Sequence, residues 1–383
     1  MMVNCTGVLF AAILSDMGFR AGDLSIYYTI RQLLCAATIG ITTRLFFQRN
    51  PRTILFITGS CCAISFWMIA FFSQVWQWYI AAVLIGFGMS CTTVVIPIVL
   101  GNWFHRFKGT VIGLTMAASG IAGALYSPIS SEIIERFGWR QASVITGVIG
   151  FVMIAVGSLL FDLTPEKLGL APYGQTSETE HGQEIVASQQ KAVPSWIFPV
   201  ALFALLSVNS YTQVNNQIPT FAQAAGYSLG VGAILTSCSM VGNISGKLLT
   251  GMMTDRIGVY RSIQVILCLV LASQLLFLFG THWVILLQIA SLLYGLVYSL
   301  GTTVPALLFY DLYGRERYKG KVQISQSANY FVLSATSFIF PYIYDLTGSF
   351  SPVFAAGAGI CAVSLLIIEG MRRYVKSNTL SAQ

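Results

Sequence analysis

The sequence has little charge. Only 9% of its 383 residues are Asp, Glu, Lys or Arg, against roughly 25% in ordinary soluble domains. These are too few to cover the surface of a soluble protein of this length, so a soluble globular fold is excluded. Apolar runs of about 20 residues recur along the chain, each long enough to cross a ~30 Å hydrocarbon layer as a helix. The composition therefore predicts a polytopic, all-α membrane protein.

Residue groups typical of metal sites and catalytic centres are also missing. The three histidines, His105, His181 and His282, are scattered, and none of the eight cysteines has metal-ligand spacing. The sequence has no H-E-x-x-H motif, no cysteine–histidine pair and no pair of carboxylates within a membrane span. Catalysis on a membrane substrate needs at least one such group. We therefore expect no enzyme, no metal and no cofactor.

Eleven apolar stretches predict membrane-spanning helices, and a shorter apolar piece, 1–15, precedes them. The predicted spans are 24–46, 52–73, 77–101, 110–130, 140–161, 194–214, 230–251, 262–280, 283–307, 322–343 and 352–371. Sixteen Lys and Arg residues lie in one set of alternate connections, and four lie in the other set with its helix ends. This positive-inside asymmetry predicts that the first set and the C-terminus are cytoplasmic. The net charge of +7 thus reflects topology, and no nucleic-acid partner is expected.

One long polar connection, 163–193, divides the chain. It contains several Glu, Gln and Ser residues without an apolar period, which predicts a flexible cytoplasmic linker. Landmarks repeat across it at a nearly constant offset: Pro97 and Pro305 are 208 residues apart, and Gly138 and Gly348 are 210 apart. The offset predicts a duplicated helical bundle, an arrangement typical of transporters with a site between the halves. The predicted domains are a first bundle (1–162), the linker (163–193), a second bundle (194–373) and a cytoplasmic tail (374–383).

The segment GMMTDRIGVYR, residues 251–261, resembles the G-x-x-x-D-R-x-G-x-x-R loop motif of the major facilitator superfamily. Its counterpart in the first half, TRLFFQRNPR, is degenerate, with Phe47 in place of the acidic residue and Asn50 in place of the glycine. The resemblance implies the major-facilitator fold of two pseudo-symmetric six-helix bundles. It also implies a gating role for five residues of the intact motif: Gly251, Asp255, Arg256, Gly258 and Arg261.

Further segments resemble the monocarboxylate transporter and oxalate–formate antiporter branch of that superfamily. They are PEKLGLAPYG after the sixth span, GNWFHRFKGTVIGLTMAASGIAGALYSP and ERFGWRQA around the fourth to sixth helices, and VPALLFYDLYGRERYKGK and YDLTGSF around the tenth to twelfth. The similarity runs from about residue 10 to about residue 360. Since each half of this fold needs six spans, the short piece 1–15 indicates either a true start upstream of Met1, which we favour, or a half-helix.

Lys247 lies inside the predicted span 230–251. A charge in the bilayer interior costs about 3 kcal/mol or more, so such a residue is a candidate for function. The alternative is a lysine that snorkels toward the headgroups. Against that, neighbours such as Gly246 and Asn243 favour close helix packing or a wet cavity. In the branch that this chain resembles, a basic residue here binds the substrate carboxylate, and an acidic partner stands where this chain has Asn243.

Arg31 is the second candidate cation, with Tyr27, Tyr28 and Gln32 around it. A guanidinium can bind a carboxylate through two parallel hydrogen bonds. Outward snorkelling or an inter-helix hydrogen bond is the alternative. Uncharged polar residues on other spans are expected to shape the cavity, with inter-helix hydrogen bonding as the alternative for each. The candidates are Asn243, Tyr298, Gln326 and Asn329.

Acidic residues are informative by their absence, because no Asp or Glu lies in the middle third of any predicted span. Proton-driven carriers commonly use such a carboxylate as a relay. Ala82 also stands where proton-coupled superfamily members have an arginine before G-x-G. Candidate cations without buried anions favour an anionic substrate, carried by exchange or passively. The oxalate–formate exchangers have a further lysine in the eleventh helix; no Lys or Arg occurs here between Val322 and Gly370, which favours a monoanion over a dicarboxylate.

We therefore predict a secondary active transporter that moves a small organic anion, a monocarboxylate, by alternating access. We expect it to work as a monomer within the lipid bilayer of the plasma (inner) membrane. Two alternatives stay open. Efflux of apolar compounds would predict a cavity that tolerates loss of Lys247. A non-transporting sensor on the same scaffold would be favoured by an added soluble domain, and the sequence contains none.

Overall fold

The computed structural model describes residues 6, 9–10, 12–13, 16–18, 21–104, 106–165, 169–174 and 194–380. These residues are almost all helical, and within them a single isolated bridge joins Phe104 to Tyr173 while no strand occurs. The predicted all-α membrane fold is confirmed. Most of the predicted short piece 1–15 and of the predicted linker 163–193 lies outside the described residues.

The helices follow the predicted spans. In chain order they are α1 (Ala21–Gln48), α2 (Pro51–Ile69), α3 (Val75–Trp103), α4 (Lys108–Leu159), α5 (Ile197–Asn209), a 3-10 helix (Ser210–Gln217), α6 (Ile218–Ala224), α7 (Leu229–Ile257), α8 (Val259–Phe279), α9 (Val284–Tyr294), a second 3-10 helix (Gly295–Val297), α10 (Tyr298–Thr347) and α11 (Ser351–Leu380). Every one of the eleven predicted spans thus falls on helix.

Eight helical stretches of the described chain are long and apolar enough to cross a bilayer. They are Ile26–Gln48, Pro51–Ile69, Val75–Trp103, Ile129–Leu159, Ile197–Ala222, Val259–Phe279, Val284–Gly314 and Ser351–Val375. These match eight predicted spans. The remaining predicted spans, 110–130, 230–251 and 322–343, are helical but are not among the eight. The last two carry most of the candidate site residues, including Lys247 and Asn329.

Two long helices change direction at a glycine. Gly138 within α4 has φ 80° and ψ 162°, and Gly314 within α10 has φ 68° and ψ 178°. A positive φ costs glycine no steric clash, whereas a side chain there would be strained. Gly138 therefore separates the predicted spans 110–130 and 140–161 within one continuous stretch, and Gly314 does the same between 283–307 and 322–343.

Helix α5 gives way to a 3-10 helix just before Pro219. Proline has no N–H to donate, and its ring conflicts with the carbonyl four residues earlier, here that of Asn215. The chain tightens into the 3-10 helix over Ser210–Gln217 and then resumes as α6. The interruption thus occupies eight residues on the N-terminal side of Pro219.

The chain divides into two compact units. Unit 1 comprises Met1–Trp103, Ala118–Ala171 and Gln326–Ser337, and unit 2 comprises Phe104–Ala117, Pro172–Ser325 and Phe338–Gln383. Each unit therefore contains residues from both predicted bundles. The domain boundaries predicted from the sequence, 1–162 and 194–373 with the linker between them, stay predictions.

Close helix packing in unit 1 depends on small residues. A side chain at Gly86 of α3 would place its Cβ 2.6 Å from the carbonyl oxygen of Arg31 in α1. The same two helices are joined by a hydrogen bond of 2.9 Å between the Thr42 and Ser90 hydroxyls. Because α3 approaches the backbone of α1 so closely, the position of Arg31 is set by main-chain packing.

Candidate functional site

Lys247 is buried in α7, with 6% of its surface exposed. Its Nζ donates a hydrogen bond of 3.5 Å to the carbonyl oxygen of Met116 in α4, and among the described residues it forms no ion pair. A snorkelling lysine keeps its ammonium in water, whereas this one lies against another helix of unit 2. A buried ammonium with only a carbonyl partner retains an uncompensated charge, which favours an anion beside it.

Glycines bring α4 and α7 into backbone contact around Lys247. A Cβ at Gly113 would lie 2.5 Å from the carbonyl oxygen of Lys247, and one at Gly109 would lie 2.5 Å from that of Gly251. Small residues at such spacing let two membrane helices approach closely. The backbone of Lys247 is therefore held at a fixed distance from α4, and Gly251 contributes to this contact as well as to the loop motif.

Asn243 lies one turn before Lys247 on the same helical face. Its side chain is buried, and its Oδ1 has no hydrogen-bond partner among the described residues. An unpaired buried acceptor costs about 1–3 kcal/mol, so a water or ligand that donates to this oxygen would be stabilised. Because an amide stands where the resembling branch has an acidic residue, the charge of Lys247 is not neutralised from within its own helix.

Tyr298 and its neighbour Tyr294 bind the interrupted helix of unit 2. The Tyr298 hydroxyl donates to the carbonyl oxygen of Thr212 at 3.4 Å, and the Tyr294 hydroxyl donates to that of Tyr211. Both carbonyls belong to the 3-10 helix, where regular α-helical bonds are lost. The two tyrosines flank the second 3-10 helix and bind the first one, so they connect the two places where the helices are interrupted. The sequence gives no signal of this connection. The assignment of Tyr298 to the substrate site stays a prediction.

Arg31 is the candidate cation of unit 1. Its guanidinium lies over the ring of Tyr28, 4.9 Å from the centroid. Its Nη1 is buried and has no hydrogen-bond partner among the described residues. Tyr330 of α10 and Cys35 of α1 are electrostatic neighbours. One face of the guanidinium is thus occupied by an aromatic ring, while a donor nitrogen is left for an acceptor.

Gln326 and Asn329 are buried in the part of α10 that belongs to unit 1. The Ser334 hydroxyl in the same part donates to the carbonyl oxygen of Thr29 in α1 at 3.4 Å, which holds this segment beside the helix of Arg31. The predicted site residues therefore fall into two sets. Arg31, Gln326 and Asn329 lie in unit 1, and Lys247, Asn243 and Tyr298 lie in unit 2. That all six form one site stays a prediction.

Asp255, the acidic residue of the loop motif, binds the beginning of α4. Its Oδ1 accepts a hydrogen bond from the Gly109 N–H at 2.9 Å. Its Oδ2 accepts from the Thr110 N–H at 2.7 Å and from the Thr110 hydroxyl at 2.6 Å. The first N–H groups of a helix lack intrahelical partners and carry a partial positive charge. A carboxylate from α7 therefore caps α4, which places a fixed contact at the predicted gate.

The other residues of the motif shape the turn that presents Asp255. Gly258 ends α7 with φ 84° and ψ 160°, a conformation that favours glycine. Arg256 and Arg261 are exposed on either side of this turn. The gating roles of all five motif residues stay predictions.

The degenerate loop of the first half is built differently. The side chain of Asn50 accepts a hydrogen bond of 3.0 Å from the Arg52 N–H and so caps α2. The Arg52 guanidinium binds the carboxylate of Asp162 at 2.9 Å and donates to the Phe161 carbonyl at 2.8 Å. A pocket of about 400 Å³ lies here, lined by Arg49, Asn50, Pro51, Arg52, Phe161, Asp162 and Leu163. Arg52 of this loop is thus held in an ion pair within unit 1.

Lys108 has a structural setting that the sequence did not reveal. It is the first residue of α4, is 9% exposed, and its Nζ lies over the ring of Tyr310 in α10, 2.6 Å from the centroid. The Tyr318 centroid is 5.4 Å away. In the sequence, Lys108 is one of the sixteen basic residues in the connections predicted to be cytoplasmic. Tyrosines some 200 residues later give no local signal of such a contact.

Comparison with known proteins identifies the family. The Major Facilitator Superfamily model matches residues 1–235 and 200–380. The chain belongs to the major facilitator superfamily. As a superfamily member it is a multi-pass integral membrane transporter, and this family and fold are not those of enzymes.

Curated relatives of this superfamily member include monocarboxylate transporters. It is 25% identical over 250 residues to monocarboxylate transporter 12 of Mus musculus, covering 58% of this chain and 50% of the relative. It is 23% identical over 374 residues to monocarboxylate transporter 13 of Rattus norvegicus, covering 94% of this chain and 82% of the relative. The match thus spans about half the length of the first relative and most of the second. The resemblance to the monocarboxylate branch is confirmed.

Solved structures of the superfamily have the same fold. The proton:xylose symporter XylE, bound to 6-bromo-6-deoxy-D-glucose, matches with a TM-score of 0.76 at 15% identity, covering 96% of this chain and 91% of that one. The E. coli fucose:proton symporter FucP matches with a TM-score of 0.68 at 14% identity, covering 96% and 94%. At this identity the likeness confirms the predicted major-facilitator fold.

Proposed function

We propose that this transporter moves a small organic monoanion, a monocarboxylate, by alternating access. The observation that carries the proposal is the burial of the Lys247 ammonium against α4, where its polar partner among the described residues is one backbone carbonyl. A carboxylate would neutralise this charge and accept stronger, charge-assisted hydrogen bonds. Asn243, one turn away, has an unpaired amide oxygen that can accept from a donor on the same ligand or from water.

Arg31 supports an anionic substrate from unit 1. Its buried Nη1 has no acceptor among the described residues, and a guanidinium presents its donors in a rigid plane that suits a carboxylate. In this proposal Lys247 is the main anion contact and Arg31 the second, while Asn243, Tyr298, Gln326 and Asn329 shape the cavity.

Anion exchange is the transport mode that the residues favour. No predicted span carries an Asp or Glu in its middle third, and such carboxylates are the usual relays of proton-driven carriers. A carrier whose empty site holds uncompensated cations returns across the membrane more readily with a second anion bound. We further propose a monomer in the plasma (inner) membrane with a cytoplasmic C-terminus, as the distribution of Lys and Arg indicates.

Exchange in proteoliposomes tests the proposal. Vesicles preloaded with unlabelled small carboxylates are presented with labelled ones, with and without a pH gradient. A charge-assisted hydrogen bond contributes about 1.5–3 kcal/mol, so Lys247→Gln is expected to lower kcat/KM about tenfold to a hundredfold. Lys247→Arg keeps the charge and is expected to retain more activity than Lys247→Gln.

Lys321→Gln is the matched control, because the Lys321 ammonium lies over the rings of Phe198 and Tyr313, at 4.3 Å and 5.3 Å from their centroids. It removes the same charge from the same unit and should leave exchange within about twofold of wild type. If the folded wild-type protein exchanges no carboxylate, the monocarboxylate proposal is wrong, and efflux of apolar compounds or sensing becomes the better account. Uptake that depends on the pH gradient would replace anion exchange with proton coupling.

A further inference from the structure

The beginning of α4 is held by two different helices. Asp255 from α7 accepts hydrogen bonds from the Gly109 and Thr110 N–H groups. Lys108 immediately precedes Gly109, and its side chain lies against the rings of Tyr310 and Tyr318 of α10. Lys108 lies in the predicted first bundle, whereas Asp255 and both tyrosines lie in the predicted second bundle. The contacts therefore join the two halves at their predicted cytoplasmic ends.

The aromatic contacts of Lys108 are enclosed. Lys108 and Tyr318 are buried, and the rings of Tyr310 and Tyr318 meet edge to face with their centroids 5.1 Å apart. An ammonium over a ring face is attracted by the ring quadrupole, and the attraction is stronger where water is excluded. The two rings thus form an aromatic lock around the ammonium, defined here as Lys108, Tyr310 and Tyr318.

Lys108 is the first residue of α4, a position that is unfavourable for a cation. A cation in the first turn of a helix is repelled by the partial positive charge of that terminus. Asp255 compensates part of this charge, and the rings of α10 add a cation–π attraction for the ammonium. If α4 separates from α7 and α10, the Lys108 ammonium returns to water, and the beginning of α4 loses the Asp255 carboxylate that caps it. Opening at this end must therefore break both contacts.

We propose that the aromatic lock keeps the predicted cytoplasmic end of the carrier closed, and that its opening is required before substrate can pass on that side. Lys108 is thus a positioning residue for transport and does not contact the substrate. The proposal goes beyond the proposed function, because it concerns the equilibrium between carrier states and holds for any substrate.

A reactive cysteine reports the state of this end. Ile112 is one turn after Lys108 in α4 and is buried, so Ile112→Cys should react slowly with a water-soluble maleimide while the end is closed. The measurement uses the full chain in lipid nanodiscs, with the same variants lacking Ile112→Cys to subtract the reaction of native cysteines. Lys108→Gln and Tyr310→Leu each remove the desolvated cation–π interaction, and each is expected to raise the labelling rate about tenfold. The double variant should react no faster than the faster single variant, because both substitutions remove the same interaction.

Three comparisons separate the lock from general loosening. Lys108→Arg keeps a cation over the rings and should react within about twofold of wild type. Lys321→Gln removes a cation–π contact between α5 and α10, both in the predicted second bundle, and should also leave the rate unchanged. A second reporter, Leu287→Cys at a buried position of α9, should stay slow in every variant. Unchanged labelling in Lys108→Gln, equal acceleration in Lys321→Gln, or acceleration at both reporters would each overturn the proposal.

Discussion

The two cytoplasmic loops predicted to be related by duplication hold their helices in different ways. In the second half, Asp255 reaches α4, more than 140 residues earlier in the sequence, and caps its first turn. In the first half, Arg52 binds Asp162, and both residues belong to the predicted first bundle. Phe47 stands where the related carboxylate would be. Only the second loop joins residues of the two predicted bundles through the motif carboxylate, so we infer that the gate contact is one-sided.

Removing the carboxylate from the second loop is expected to have the largest effect. Asp255→Asn keeps the shape of the side chain but loses charge-assisted hydrogen bonds to the first turn of α4, which contribute about 1.5–3 kcal/mol. We expect Ile112→Cys to react with maleimide at least about tenfold faster in this background. A rate equal to that of wild type would show that the cap on α4 does not hold the gate.

A smaller effect is expected from closing the space between α4 and α7. Gly251→Ala would place a methyl group against the carbonyl oxygen of Gly109, and overpacking of this kind typically costs about 1–3 kcal/mol. Thermal unfolding in detergent should show a lower Tm than wild type. Gly320→Ala is the matched control, since a Cβ at Gly320 meets nothing within 4 Å. Equal Tm values for the two variants would contradict close packing at Gly251.

The ion pair of the first loop should matter least. Arg52 and Asp162 are partly exposed, with 47% and 21% of their side chains accessible, and such pairs contribute about 0–1 kcal/mol. Asp162→Asn is therefore expected to lower Tm slightly and to leave the Ile112→Cys labelling rate within about twofold of wild type. A rise as large as that of Asp255→Asn would show that both loops hold the gate, and the one-sided comparison would be wrong.

Much of the fold could be predicted because lipid restricts what a chain can do. A spanning segment must satisfy its own backbone hydrogen bonds, so apolar length alone predicts where helices lie. The interruption near Pro219 was predictable for a similar reason, because proline removes a donor whatever surrounds it. The units were not predictable. Segments 104–117 and 326–337 each pack with residues of the other predicted bundle, and no local pattern encodes that.

The candidate site divides along the same line. Burial costs singled out Lys247 and Arg31, because a charge inside an apolar span is expensive wherever its partner lies. Their partners are Met116, more than 130 residues before Lys247, and Tyr28, three residues before Arg31. Only Tyr28 could be predicted as a partner from the sequence, because residues three apart on a helix lie on the same face. The hydroxyl of Tyr298 shows the same limit, since its acceptor is the carbonyl of Thr212, 86 residues earlier in the 3-10 helix.

By itself, therefore, the sequence determined the class of protein, the positions of its helices, the loop motif and the two cations worth testing. Each of these follows from chemistry that acts locally: hydrocarbon length, the missing N–H of proline, glycine's freedom and the cost of a charge. Tertiary structure alone decided that Asp255 caps α4, that Lys108 lies between tyrosines of α10, and that glycines press α4 onto α7. Those contacts depend on which helix faces pack together in the folded protein. Residues far apart in the sequence show no local pattern that predicts this packing.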